Sequence, residues 1–149
     1  MLDQKWMTHL PALFSALLTT TGPVLEIGAG NGSTPMLRAF CVAAEREFYS
    51  LEGNHDWALA CDSHFDPSYE SLDRMAKQQW GVVFVDHAPE EYRVRVANLF
   101  KDSAEIIVIH DWSSADTNAH GSVGGFHHKQ VDERFFPTTI SLSNRRPIA

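Results

Sequence analysis

Hydrophobic positions along the chain switch between a helical period and continuous strand-like runs. Leu2, Trp6, Leu10, Leu13 and Leu17 recur at helical spacing and predict an amphipathic helix, kinked or restarted near Pro11. Residues 19–22 read as a loop into a first strand that ends at Ile27. A helix from Pro35 to about Glu45 presents Met36, Leu37, Phe40 and Ala44, and Phe48 to Glu52 reads as the second strand. Asn54 is placed to cap a short helix holding Trp57, Ala58 and Cys61. Asp66-Pro67 predicts a further helix start, with Leu72, Met75 and Ala76 facing inward. Gly81 to Asp86 is an apolar run closed by a carboxylate, the pattern of a central parallel strand buried on both faces. Pro89 opens a helix whose predicted inner stripe is Tyr92, Val96, Leu99 and Phe100. Glu105 to Asp111 is the next buried strand and again finishes in polar residues.

From Trp112 to about Gly125 no period is present, and a long loop over the strand ends is expected. Residues 126–136 and 137–143 read as an antiparallel β-hairpin closing the sheet edge. Between Cys61 and Trp80 no convincing strand stands out; Asp62 to Phe65 supply at most a very short one. Strands alternate with helices, without internal repeats or an interdomain linker. The expectation is one α/β domain over residues 1–149. It has a doubly wound, mostly parallel Rossmann-like sheet, a C-terminal antiparallel hairpin and an incomplete third strand.

The junction of the first strand and its helix carries the chemistry. Glu26 stands two residues before Gly28-Ala29-Gly30-Asn31-Gly32, and Thr34-Pro35 reads as N-cap and first helical residue. Strand, glycine turn and helix in this order form the nucleotide crevice of an open α/β sheet. A dinucleotide fingerprint spaces its glycines G-x-G-x-x-G. Here the spacing is G-x-G-x-G, and a carboxylate facing the loop would repel a pyrophosphate but hold an ammonium group. Glu52, at the tip of the second strand, can accept both hydroxyls of a ribose.

These residues resemble motif I of the class I S-adenosylmethionine-dependent methyltransferases. Two further stretches narrow the resemblance to compact O-methyltransferase-like proteins. One is Phe84-Val85-Asp86-His87-Ala88-Pro89, followed by Val108-Ile109-His110-Asp111; the other runs from Thr138 to Asn144. The resemblance implies S-adenosylmethionine as cofactor, bound by Glu26, Gly28, Ala29, Gly30, Asn31, Gly32, Thr34, Glu52 and Asp86. It implies methyl transfer to a small-molecule acceptor, through oxygen. Such a transfer needs the acceptor aligned with the S–CH₃ bond and gains from a base. His110 is the expected base, oriented by Asp111 or Asp86, with His87 the other candidate. A divalent metal on Asp86, His110 and Asp111 is a competing reading and is not favoured. His120, His127 and His128 read as solvated or loop-packing residues, and Arg93 and Arg95 as the solvated face of their helix, with reach to an anionic acceptor the alternative for Arg93.

Composition bounds the rest. The 149 residues carry a formal net charge of −7, which disfavours a nucleic-acid partner. No apolar run is long enough to span a membrane, and the N-terminus lacks the pattern of a signal peptide. Cys41 and Cys61 form no C-x-x-C pair and are expected reduced, so a cytoplasmic protein is the default. A short domain with four tryptophans and a terminal hairpin could form a homodimer. Two other readings stand beside the enzyme. A non-catalytic or partner-dependent subunit of the same fold fits the weak third strand and the small size. A nicotinamide-dependent oxidoreductase is disfavoured by the glycine spacing and Glu26.

Overall fold

The computed structural model describes residues 9–89, 92–110, 127–130 and 140–143. Strands β1 (Val24–Ile27), β2 (Phe48–Glu52), β3 (His64–Phe65), β4 (Trp80–Val85) and β5 (Ala104–Ile109) form a parallel sheet in the order β3-β2-β1-β4-β5. Two further strands, β6 (His127–Gln130) and β7 (Ile140–Ser143), extend it antiparallel beyond β5, with Ile109 opposite Ile140. The expected hairpin connection runs through residues 131–139 and lies outside the described residues, as does the loop expected from Trp112 to Gly125. The direction of winding reverses between β1 and β4, and the functional crevice of such sheets opens at that reversal.

Period-two alternation explains why both faces are covered. Along β4, Val82 and Phe84 pack with Leu13, Leu17 and Leu37 on one side, while Val83 and Val85 pack with Val94, Ala97 and Phe100 on the other. The first group belongs to α1 (Leu10–Thr19) and α2 (Ser33–Ala43); the second lies on and just after α5 (Arg93–Leu99). Every residue of β4 is buried, and each large apolar side chain so placed contributes about 1.5–3 kcal/mol.

Several boundaries differ from the sequence pattern, each for a local reason. Helix α1 starts at Leu10, with Pro11 in its first turn, where a missing N–H loses nothing, in line with the restart expected near Pro11; Leu2 and Trp6 lie outside the described residues. Helix α2 begins at Ser33 with Gly32 as N-cap, so Thr34 is not the cap and Pro35 is the third helical residue. Its ring still falls among the first four N–H positions, which have no intrahelical acceptor. The short α3 (His55–Cys61) is capped as expected, Asn54 Oδ1 accepting from the Trp57 N–H at 3.0 Å. Residues 66–71 are not helical. The Asp66 carboxylate instead accepts from the N–H groups of Glu70 and Ser71 and from the Ser71 hydroxyl, leaving only one helical turn, α4 (Leu72–Met75). The third strand is two residues long, paired with Leu51 and Glu52. The predicted stripe of α5 holds at Val96 and Phe100, which are buried, and fails at Tyr92 and Leu99, which are exposed; Arg93, Val94 and Ala97 are buried in their place.

Candidate functional site

Glu26 is completely buried, and both of its oxygens are occupied. Ser33 Oγ donates to Oε1 at 2.5 Å; Thr34 Oγ1 and Ser50 Oγ donate to Oε2 at 2.8 and 2.6 Å. The carboxylate therefore ties β1 to the start of α2 and to β2. Burial pushes its pKa up to about 7, against the three hydroxyls, and the nearby Asp86 charge adds to the rise. In this structure the side chain faces the three hydroxyls that shape the loop.

The loop above it is fixed by its own backbone. Gly28 has φ +93°, a conformation that side chains rarely tolerate, and its N–H donates to Leu51 O at 2.8 Å. A Cβ there would lie 2.5 Å from His87 N, so the ends of β1 and β4 touch through this glycine. Ala29 N–H donates to Glu52 Oε2 at 2.9 Å, and Ala29 O accepts from Trp57 Nε1. Gly30 N–H donates to Thr34 Oγ1 at 2.9 Å. Gly32 ends the loop as the α2 cap, and Asn31 projects outward. Glu52 Oε1 accepts from the Asn54 N–H at 2.8 Å, so this carboxylate spans the tips of β1 and β2.

Tyr69 was not signalled by any sequence pattern. It has φ +51°, its hydroxyl accepts from the Gly53 N–H at 3.1 Å, and its ring centre lies 5.2 Å from that of His87. Burial and the Glu52 charge push the phenol up to about 12, so it stays protonated. His87 itself is buried, and desolvation lowers its pKa, favouring the neutral ring.

A second group sits at the tips of β4 and β5. His110 is buried, with Nδ1 2.9 Å from Asp86 Oδ1. Arg93 was expected on a solvated face and is corrected here: it is 6% exposed. Its guanidinium donates to the carbonyls of His87, His110 and Asp86 at 2.8, 2.7 and 3.2 Å, and pairs with Asp86 Oδ1 at 3.2 Å. Each of these partners follows a strand end, which leaves no cheaper place for the cation than inside. His9, just before α1, joins them: its ring centre is 4.5 Å from that of His110, edge to face, and 4.8 Å from that of Phe84. Asp111 lies outside the described residues.

Of the expected site residues, the structure brings Glu26, Gly28, Ala29, Gly30, Gly32, Thr34, Glu52, Asp86, His87 and His110 to one end of the sheet. Arg93 and His9 were missed as members. An arginine at the start of the helix that follows a strand-end Asp-His is a usable signal for the first; no signal marks the second.

No protein-family model matches the chain, and no curated protein matches it in sequence. Solved structures match it in fold. The fibrillarin pre-rRNA processing protein of Methanococcus jannaschii superposes with a TM-score of 0.54 at 15% identity, over 82% of this chain and 66% of that one. MycE, a methyltransferase of mycinamycin biosynthesis solved with Mg, S-adenosylhomocysteine and mycinamycin VI, gives 0.53 at 18% identity, over 95% and 46%. The bifunctional kinase-methyltransferase WbdD gives 0.53 at 9% identity, over 96% and 39%. The chain thus spans about two thirds of the first and less than half of the other two. Strand order, the glycine loop at the reversal point and these likenesses together give the chain the fold of the class I S-adenosylmethionine-dependent methyltransferases.

Proposed function

We propose that the protein transfers a methyl group from S-adenosylmethionine to an oxygen of a small-molecule acceptor. The observation that carries this reading is the Glu52 carboxylate at the tip of β2, held against the Ala29 N–H of the loop that leads from β1, one strand from the reversal point, where a ribose would meet it. The loop from Gly28 to Gly32 would lie against the methionine moiety, with Asn31 and Thr34 at its far end and Asp86 beside it. Glu26 acts through the hydroxyls it organises and not by contact.

His110 is the base in this proposal. An imidazole donating Nδ1–H to Asp86 presents Nε2 to an acceptor hydroxyl, and the carboxylate stabilises the imidazolium that forms. Asp111 belongs to the proposal from the sequence alone. His87 is the weaker candidate, because Tyr69 lies against its ring. A small acceptor suits the net charge of −7 better than a nucleic acid does. No described helix is long and apolar enough to cross a membrane.

A second reading, a subunit that binds the cofactor without turnover, is favoured by the two-residue β3. Calorimetric titration with S-adenosylhomocysteine tests the cofactor. Micromolar binding by the wild type, lost in Glu52→Ala and weakened in Glu52→Gln, is expected. A folded protein that takes up none of the ligand would end the methyltransferase proposal. Binding without methyl release onto any offered hydroxyl acceptor favours the second reading.

A further inference from the structure

Three ligating side chains from separate parts of the chain meet behind the tips of β4 and β5. His9 comes from the residue before α1, Asp86 follows β4, and His110 follows β5. One donor atom from each lies within 4.8 Å of the other two. Both histidines are buried and Asp86 is partly so, with its side chain 20% exposed. We propose that His9, Asp86 and His110 bind a divalent transition-metal ion of the zinc class.

Two imidazoles and one carboxylate form the donor set of open zinc sites, which hold three protein ligands and leave a position for a further molecule. The hard ion Mg²⁺ prefers oxygen ligands and keeps most of its waters, so two imidazoles select against it. Adjacent ligands on a tetrahedral ion with bonds of about 2.0–2.2 Å stand about 3.3–3.6 Å apart, so His110 Nδ1 and Asp86 Oδ1, hydrogen-bonded at 2.9 Å, need to open by about 0.5 Å. An ion there replaces the proton shared by these two atoms. The widest separation, up to 4.8 Å, requires His9 to move inward by about 1 Å. Arg93 also pairs with Oδ1 of Asp86, and Oδ2 accepts no hydrogen bond among the described residues, so Oδ2 is available to Arg93 when Oδ1 binds the ion.

The site goes beyond the proposed methyl transfer and does not depend on it. If that reaction holds, a bound ion would lower the pKa of a coordinated acceptor hydroxyl, whose proton then passes to water, and His110 would serve as ligand in place of base.

The test uses the full chain, stripped with a chelator and titrated with Zn²⁺ alone, against a chromophoric competitor. One ion per chain at micromolar affinity or tighter is expected, with at least a tenfold loss in His9→Ala and in the bulkier His9→Gln. His127→Ala/His128→Ala, which removes other imidazoles, should bind as the wild type does. Zinc bound equally well by the His9 variants, lost with the His127/His128 pair, or not bound at all overturns the proposal. Because His9 variants could fail to fold, Co²⁺ is added to the unmodified chain as a second measurement. Paramagnetically shifted imidazole protons from two histidines support the site; their absence refutes it. No S-adenosyl compound is present, so failure here leaves the cofactor titration to be judged separately.

Discussion

Gly28 and His87 are in backbone contact: a Cβ on the glycine would sit 2.5 Å from the histidine amide nitrogen. That contact closes the sheet end where β1 and β4 diverge, and the positive φ of Gly28 turns the chain from strand into loop. Gly28→Ala meets both obstacles, a left-handed backbone and an immovable neighbour. A loss of about 2–5 kcal/mol in urea unfolding is expected, from strain and overpacking together. Gly30→Ala is the control. Its Cβ would approach only the Ser33 hydroxyl, at 3.2 Å, and should cost less than about 1 kcal/mol. Equal losses in the two variants would mean that the β1–β4 contact does not hold the loop.

Glu26 makes stability depend on pH with an unusual sign. Its folded pKa, about 7, lies above the ordinary 4.5 because burial disfavours the carboxylate. Between those values the folded chain retains a proton that the unfolded chain has released, so the contribution of Glu26 falls as pH rises from about 4.5 through 7. The full effect is about 3 kcal/mol. Glu26→Gln should flatten this part of the profile and bring the variant level with the wild type, or above it, at pH 8. A wild-type stability that rises steadily from pH 5 to 7.5, unchanged in shape by the substitution, contradicts this.

Arg93 holds three carbonyls and the Asp86 carboxylate at the ends of β4 and β5. Arg93→Met keeps much of the apolar stem and removes every one of these bonds. Buried acceptors left without a donor, together with an uncompensated carboxylate, should lower stability by about 3–5 kcal/mol. Arg93→Lys restores the charge but cannot span all the acceptors, and is expected between the two. Thermal unfolding of the three proteins orders them. A lysine variant as stable as the wild type would show that charge alone matters.

Strands were the most legible part of the fold, because β1, β4 and β5 are buried on both faces and read as mostly apolar runs, interrupted only by Glu26 in β1 and Glu105 in β5. The short β3 was legible only as a weakness, since His64 and Phe65 are exposed and carry no pattern. Helix faces misled where polar groups found partners inside. Arg93 looked solvated by composition, yet carbonyls at two strand ends draw it in. Motif spacing placed Glu26 and Glu52 correctly at strand tips, but could not say that one faces hydroxyls and the other backbone N–H groups. His9 and Tyr69 reach the site through tertiary packing, which no local period records.

Tyr69 should oppose ligand binding in the unliganded protein. Its hydroxyl holds the Gly53 N–H beside Glu52, and its ring lies against His87, so a nucleoside approaching Glu52 meets the phenol first. Displacing it breaks one hydrogen bond, about 1 kcal/mol net. Tyr69→Phe removes that bond while keeping the ring, so S-adenosylhomocysteine should bind about fivefold more tightly. Tyr69→Ala removes the ring as well, separating the two contributions: a further gain marks the ring as an obstacle, and a loss marks it as a surface for the base. Calorimetry on the three proteins reads both. Unchanged affinity in Tyr69→Phe would mean that the phenol keeps its place when the ligand is bound.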